Sequence, residues 1–353
     1  MKGLVLHGAE DVRYEGIDDP EIADARDIIV QAKACGICGS DLHLYHQHGD
    51  FTEIGAGFST AGKICVGHEA VGEVVEIGKA VTRHRVGDTV MLSGFVSCGR
   101  CAECLRGNSK MCRGGGWNVY GLDPGLGACQ SELIRVPGAD HNAAALPEGV
   151  SIEQAILLTD NLPTAYCAVL NADIRSGRTV AVVGLGPIGL MVIELALMMG
   201  ASVVYAIDLV PERRRRAAEL GAVPVDGGDV VEVLAEATKG KMVDCVIEAV
   251  GSDRTVKLAL DLVGIDGTVS ILGVNNEMDF RIPPKAFFNN VTIRGNFATE
   301  ITRYWQDLIA LLQAGRISPE RFITSRYNLS DGTAAYRQFS DNKAENLKTI
   351  LFP

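Results

Sequence analysis

Residues 184–189 read Gly-Leu-Gly-Pro-Ile-Gly, a G-x-G-x-x-G pattern set between an apolar run and a helical one. Val180–Val183 precedes it with four small aliphatic side chains, the signature of a buried strand. Ile188–Met199 follows with a helical pattern. Asp208 comes 19 residues after Gly189, at the end of the next apolar stretch, Ser202–Ile207. A hexapeptide alone says little; strand, glycines, helix, strand and acid in this order describe a dinucleotide-binding βαβ unit. Each glycine has its own reason. Gly184 permits a tight turn, Gly186 lets backbone approach a pyrophosphate, and Gly189 lets helix pack close to strand. Pro187 and Ile188 open the helix whose N-terminus offers free N–H groups to phosphate. The Asp208 carboxylate would accept hydrogen bonds from ribose hydroxyls and repel a 2′-phosphate, which predicts NAD over NADP. Arg213 can flank that ribose, whereas Arg214–Arg216 read as a solvated helix face.

The unit sits in the middle of a 353-residue chain, long enough for two or three domains. From about residue 151 strands and helices alternate: strand Thr179–Val183, helix Pro187–Met199, strand Ser202–Ile207 and helix Pro211–Leu220. Further strands are read at Val243–Ala249, Thr268–Leu272 and Val291–Arg294. Such alternation predicts right-handed crossovers and a doubly wound parallel sheet, an α/β fold. Residues 1–150 differ. Ile28–Lys33, Ala70–Ile77 and Thr89–Leu92 read as short strands between Gly, Asp and Pro turns, with Gly-rich loops at Gly49–Gly62 and Gly114–Gly127. The tail holds one clear helix, Tyr304–Ala314, and a final strand, Leu347–Phe352.

Hydrophobic residues at 47% and charged residues at 22% give enough apolar material for packed cores, so wholesale disorder is excluded. A net charge of −11 argues against a nucleic-acid surface. The apolar stretch Val180–Ile207 is broken by Gly184, Gly186, Pro187, Gly189, Glu194 and Gly200, so no membrane span is expected. Glu10 and Asp11 leave no room for a secretory leader, which predicts a cytoplasmic protein whose ten cysteines are thiols or metal ligands.

Cys98, Cys101, Cys104 and Cys112 follow C-x2-C-x2-C-x7-C. Four thiols so spaced can wrap one tetrahedral Zn2+ in a closed, structural site. The competing iron–sulfur reading expects C-x2-C-x2-C-x3-C-P, and here Arg113 follows Cys112. A second constellation is Cys35-Gly-Ile-Cys38-Gly39-Ser40-Asp41-Leu42-His43 with Gly67-His68-Glu69 downstream. Cys38 with His68 makes a mixed ligand pair that needs a third protein ligand and an open position to be catalytic. Glu69 and Asp160 are the candidates. Asp160 lies in the apolar stretch Leu157–Leu162, where a lone carboxylate is costly. On spacing alone, an N-capping Asp160 and a solvated Glu69 fit equally well.

Taken together, Cys38-Gly-Ser-Asp, Gly67-His-Glu, the four-cysteine segment, Thr159-Asp160 and the glycine motif resemble the zinc-containing medium-chain alcohol dehydrogenase family. The pieces stand in family order along nearly the whole chain. The resemblance implies a GroES-like, β-rich catalytic domain from residues 1–155 and 298–353, with a zinc lobe at about 95–115, and a Rossmann domain over 156–297. It implies two Zn2+ per chain. One is structural, on the four cysteines; the other is catalytic, on Cys38, His68 and Asp160, with Glu69 a fourth ligand or a swinging group. Cys35 would not ligate. Ser40 and His43 match the family's proton-relay positions. Thr164 matches a position that touches the nicotinamide, Gly273, Val274 and Phe297 lie in segments that flank it, and Val250 matches a cofactor-binding position.

The expected activity is hydride transfer between NAD(H) and a small-molecule alcohol or carbonyl, with a secondary or bulky alcohol as substrate. Polyol or amino-alcohol oxidation by the same zinc chemistry is the alternative, and a silent NAD(H)-binding sensor is a reading from a different class. A homodimer or homotetramer is implied, paired at the sheet edge near Val291–Phe297. The Cys38–His68 interval is longer than in many relatives, so the loops holding Gly49–Gly62, Trp117 and Tyr120 bear on substrate. His46 and His48 are read as exposed loop residues.

Overall fold

The structure is a computed structural model, and it describes residues 1–46, 63–114, 118–123, 125–226, 229–274, 279–296, 299–342 and 344–353. Phe297, Trp117, His48 and the loop 49–62 lie outside the described residues. The chain divides into two compact units, Met1–Pro163 with Ala298–Pro353, and Thr164–Phe297.

In the first unit, strand Ile28–Ile37 lies within a seven-stranded sheet, paired antiparallel with Ala70–Ile77, Lys348–Phe352 and Leu133–Val136. The sequence pattern marked this strand only as far as Lys33. It runs on to Ile37 because Ala34, Cys35 and Ile37 are all fully buried. The extension delivers Cys38 and Ser40 to the head of helix Asp41–Tyr45. The C-terminal strand belongs to this sheet, which is why the chain's tail joins its first half. Its core side chains include Leu4, Ile28, Leu92, Tyr120, Ile134, Tyr336 and Leu351. The tail carries a second helix, Gly332–Asp341, beside Ile301–Gln313. Only one helix was expected there. The second buries Gly332, Ala335, Tyr336 and Phe339 at i, i+3, i+4 and i+7, a helical spacing whose first two members are the small residues Gly and Ala.

Helix Ile152–Leu158 begins on a reciprocal capping box. Ser151 Oγ accepts from Gln154 N at 3.1 Å, and Gln154 Oε1 accepts from Ser151 N at 3.0 Å. Its residues Ala155–Leu158 are buried. The division between units falls after Pro163 rather than at the expected 155, since this helix lies wholly within the first unit.

The second unit is built on a six-stranded sheet with every neighbour parallel. Its order is Val223–Pro224, Val203–Ile207, Thr179–Val183, Val243–Glu248, Val263–Ile271 and Thr292–Gly295. The α/β reading with a doubly wound parallel sheet therefore holds. Helix Pro187–Met198 starts directly after the glycine turn, with Gly186 as N-cap and Pro187 in the first position. Gly184 takes φ +94°, open to glycine. A side chain on Gly189 would overlap the Gly184 carbonyl, so the helix can approach its strand only without one. Among the described residues no helix is long and apolar enough to cross a membrane.

Candidate metal centres and dinucleotide loop

The four cysteines converge on one point. Cys101 Sγ lies 3.5 Å from Cys104 Sγ and 3.9 Å from Cys112 Sγ, and Cys98 Sγ lies 3.9 Å from Cys104 Sγ. Four thiolates at about 2.3 Å from a tetrahedral Zn2+ would stand about 3.8 Å apart, so the group is already shaped for the ion. Backbone amides point at the sulfurs: Cys101 N to Cys98 Sγ, and both Cys98 N and Gly114 N to Cys112 Sγ, each at 3.3 Å. Such donors favour thiolate. The Cys101 thiol is pulled down to about 6 by the N–H groups of Cys104 and Arg113, whereas burial and neighbouring thiols push Cys104 up to about 12. Gly114 must be glycine, because a Cβ there would sit 2.6 Å from Cys98 Sγ. The segment is tethered by Lys110 Nζ to Glu300 Oε1 at 3.6 Å and by Arg303 Nη1 to Gly107 O at 3.4 Å.

Cys38, His68, Glu69 and Asp160 form the second group, all buried, with one donor atom from each within 4.8 Å of the others. Cys38 Sγ stands 3.4 Å from Asp160 Oδ2, and His68 Nε2 3.6 Å from the same oxygen. Each arrives from a different element. Cys38 follows directly on the extended strand, and His68 and Glu69 precede strand Ala70–Ile77. Asp160 follows helix Ile152–Leu158, whose end is fixed by Trp305 Nε1 donating to Leu158 O at 2.8 Å. Glu69 is wholly buried, which settles its solvated reading against, and its Oε1 has no hydrogen-bond partner among the described residues.

The electrostatics are those of a site built for a cation. Burial raises the Cys38 thiol, and the Asp160 charge adds to it. Burial also raises Glu69. It pushes Asp160 the same way, but the hydrogen bond and charge of His68 hold that carboxyl below its ordinary value. On His68 burial opposes protonation, yet Asp41 and Asp160 bring it well above the usual imidazole range. A divalent cation among these donors would answer a thiol and two carboxylates at once. Cys35 lies apart, donating its Sγ–H to Cys129 O at 2.9 Å.

Four supporting residues escaped the sequence reading as individuals. Asp41 Oδ1 meets His68 Nδ1 at 3.1 Å, while its Oδ2 accepts from Cys38 N at 2.9 Å. One carboxylate thereby fixes the His68 tautomer, freeing Nε2 to ligate, and holds the Cys38 backbone. Gln130 Nε2 donates to Gly36 O at 2.8 Å, and Tyr336 Oη donates to Gln130 Oε1 at 2.9 Å. Lys348, fully buried in the last strand, pairs with Glu69 Oε2 and donates to Ile37 O at 3.3 Å. Burial works against the Lys348 charge, and the Glu69 and Cys38 charges keep it raised. A Cβ on Gly36 would overlap the Glu69 carboxylate. Asp41 stands inside the quoted motif and could have been singled out; Lys348 lies far along the chain, with nothing local to mark it.

Ser40 Oγ lies 3.4 Å from His68 Nε2, and His43 is exposed on the short helix after it. His46 is a correction. It is not an open loop residue: Glu10 Oε1 lies 3.1 Å from its Nδ1 and Ser340 Oγ 3.0 Å from its Nε2.

In the second unit, Asp208 Oδ2 accepts from Leu185 N at 2.7 Å and its Oδ1 from Val210 N at 2.8 Å, so the acid is locked to the glycine turn. Arg213 Nη1 stands 3.6 Å from Asp208 Oδ2. The solvated reading of the arginine run fits Arg215 and fails for Arg214, which donates to Asp208 O at 2.7 Å and pairs with Asp226 at 2.6 Å. Arg216, three-quarters covered, pairs with Glu212 at 3.2 Å. Thr164 lies in helix Asn161–Asn171, Val250 is half exposed, and Gly273 and Val274 are partly buried.

Residues 24–148 match the alcohol dehydrogenase GroES-like domain, and residues 187–314 match the zinc-binding dehydrogenase domain. A probable zinc-binding alcohol dehydrogenase of Mycobacterium tuberculosis is 38% identical over 100% of this chain and 89% of its own length. The chain belongs to the zinc-binding alcohol dehydrogenase family. The (R,R)-butanediol dehydrogenase of Bacillus subtilis is 32% identical, covering 94% of this chain and 93% of its own. The alcohol dehydrogenase TADH from Thermus sp. ATN1 superposes with a TM-score of 0.89 at 35% identity, covering 100% of this chain and 99% of that one. This alcohol dehydrogenase relative is thus a zinc-dependent oxidoreductase.

The buried Glu69–Lys348 pair yields a stability prediction for the dehydrogenase. Lys348→Met strands the Glu69 carboxylate and costs about 3–5 kcal/mol. Adding Glu69→Gln should recover most of that loss, because a neutral amide needs no counter-charge. Melting temperatures of the zinc-loaded variants test it, and an unchanged value for Lys348→Met would refute the pairing.

Proposed function

We propose that the protein is an NAD-dependent zinc dehydrogenase oxidising secondary or bulky alcohols to carbonyls, reversibly. The observation that carries this reading is the buried Cys38, His68 and Asp160 donor set. Glu69 has one oxygen committed to Lys348, which fits three permanent protein ligands with a position left for substrate. Zn2+ held there supplies a Lewis acid for an alcohol or carbonyl oxygen. Ser40 Oγ, beside His68, would take the hydroxyl proton while releasing its own, which would pass by way of the cofactor ribose to the exposed His43 imidazole and water. Asp41 keeps His68 in its ligating tautomer throughout.

NAD, bound at Gly184–Gly189, supplies the hydride acceptor. Its preference over NADP rests on the Asp208 carboxylate, anchored beside the glycine turn by Leu185 N. The contacts of Thr164, Val250, Gly273, Val274 and Phe297 with the nicotinamide belong to the same proposal. The secondary-alcohol reading draws support from the butanediol dehydrogenase relative, because a diol with two stereocentres in four carbons carries both hydroxyls on secondary carbons. That relative also favours short polyols as the second reading.

Metal content separates the two centres. The wild type should carry two Zn2+ per chain and Cys104→Ala one, with a lower melting temperature. His68→Ala should keep the structural ion and lose at least about a thousandfold in kcat/KM, several kcal/mol of lost polarisation. Full zinc content in Cys104→Ala would remove the structural assignment, and undiminished turnover in His68→Ala the catalytic one.

Initial rates across matched primary alcohols, secondary alcohols and vicinal diols test the chemistry. NAD should exceed NADP in kcat/KM by at least about tenfold, and Asp208→Ala should narrow that ratio. Preference for NADP in the wild type would overturn the Asp208 argument, and activity confined to polyols would promote the second reading.

We further propose a homodimer formed along the edge strand Thr292–Gly295. Supporting this, among the described residues the strand has no partner on one side, with Phe287 and Phe288 about four-fifths exposed and Ile282 three-fifths exposed nearby in sequence. Light scattering should give a dimer or tetramer, and Phe287→Asp with Phe288→Asp a smaller species. A monomeric wild type would refute the proposal.

A further inference from the structure

Glu248 ends the strand Val243–Glu248, in register with Val183 beside the glycine turn. It is at the carboxyl rim of the parallel sheet, where ligands of open α/β folds bind. It is wholly buried. Its Oε1 accepts from both Val250 N and Gly251 N at 2.9 Å, and its Oε2 has no hydrogen-bond partner among the described residues. Its backbone carbonyl accepts from Leu272 N at 2.8 Å and Gly273 N at 3.1 Å. One residue therefore ties down two loops, 249–251 and 272–274.

Those loops meet backbone to backbone. A Cβ on Gly251 would stand 2.6 Å from Val274 O, and one on Gly273 would overlap Gly251 N. The first loop also touches the glycine turn. Ala249 N donates to Val183 O at 2.8 Å, and a Cβ on Gly184 would come 2.6 Å from Val250 Cγ2. A carboxylate buried with one oxygen unused costs stability, and no ion pair among the described residues answers it. What it does is accept two N–H groups in a tight turn that carries the half-exposed Val250 and takes φ +86° at Gly251.

We infer that Glu248 is a positioning residue for the nicotinamide half of the dinucleotide, holding the Val250–Gly251 turn against the Gly273–Val274 loop. This rests on the dinucleotide reading proposed above. It separates two halves of one ligand. Asp208, which accepts from Leu185 N, addresses the adenosine side, and neither Asp208 oxygen takes the Val250 or Gly251 N–H that Glu248 holds. Loss of the Glu248 acceptor should loosen the loops flanking the nicotinamide and leave the adenosine side intact.

The test uses the zinc-loaded enzyme and two probes, NADH and ADP-ribose, which lacks the nicotinamide. Glu248→Ala should weaken NADH by about tenfold, the consequence of two buried N–H groups left without an acceptor. It should move ADP-ribose by less than about twofold, the spread expected of an independent site. The blue shift and enhancement of bound NADH fluorescence should fall, and the Val250 and Gly251 amides should exchange faster with deuterium. Glu248→Gln keeps an oxygen that can accept both N–H bonds, and its amide group takes the place of the unused oxygen, so it should restore all three readouts. If Glu248→Ala does not fold, Glu248→Asp, which withdraws the acceptor by one methylene, carries the same comparison. Equal weakening of NADH and ADP-ribose would overturn the inference and mark Glu248 as general scaffolding, as would unchanged NADH binding. A wild type that binds neither probe would instead fell the dinucleotide reading, and this assignment with it.

Discussion

The pairing of Lys348 with Glu69 is the interaction on which the first unit turns. Both side chains are fully buried, and each is intolerable there alone. The pair joins the last strand of the chain to the residue preceding Ala70–Ile77, across Ile28–Ile37 between them. Lys348 also holds the Ile37 carbonyl, one residue before Cys38. A tail of some fifty residues is thereby committed to a sheet begun near residue 28. The geometry at Cys38 and His68 inherits that commitment. Gly36 completes it, since any side chain there would occupy the place of the Glu69 carboxylate.

What could be read from the sequence follows from how local each signal is. The glycine turn, its strand and its helix are contiguous, so the parallel α/β sheet was legible with most of its strands. The four cysteines are equally local, and their sulfurs do meet. The Cys38, His68, Glu69 and Asp160 set could be assembled only through resemblance, because spacing left Glu69 and Asp160 open. Burial is what distinguishes them, and burial depends on partners far away in sequence. Lys348 and Gln130 were invisible for that reason. The arginine run misled differently. Four arginines in a row look like solvent, yet a helix turns each by about 100°, and Arg214 faces Asp208 and Asp226 instead.

The two metal-donor groups solve opposite problems with related chemistry. Around the cysteine segment, backbone N–H groups surround the sulfurs and short turns bring them together, with little side-chain support beyond Lys110 and Arg303. Such a group depends on its ion to hold its shape. Around Cys38 the reverse obtains. Asp41, Gln130, Tyr336 and Lys348 fix the donors through a buried chain of hydrogen bonds rooted in three separate parts of the chain. That scaffold keeps the donors in place through changes at the metal, which a centre exchanging substrate requires.

The second unit applies the same economy without a metal. At its sheet rim the close approaches are backbone to backbone: Gly189 to Gly184, and Gly251 to Gly273. Glycines permit that closeness but bring no side chain to hold it. Carboxylates supply the missing restraint. Asp208 takes the Leu185 amide and Glu248 takes those of Val250 and Gly251, so each glycine segment is pinned by an acid at a strand end, a neighbouring strand for Asp208 and its own strand for Glu248. The task needs only an sp2 oxygen with two lone pairs, and on Glu248 one carboxylate oxygen accepts both N–H bonds. The glycines make room for a ligand, and the strand-end acids decide what shape that room keeps.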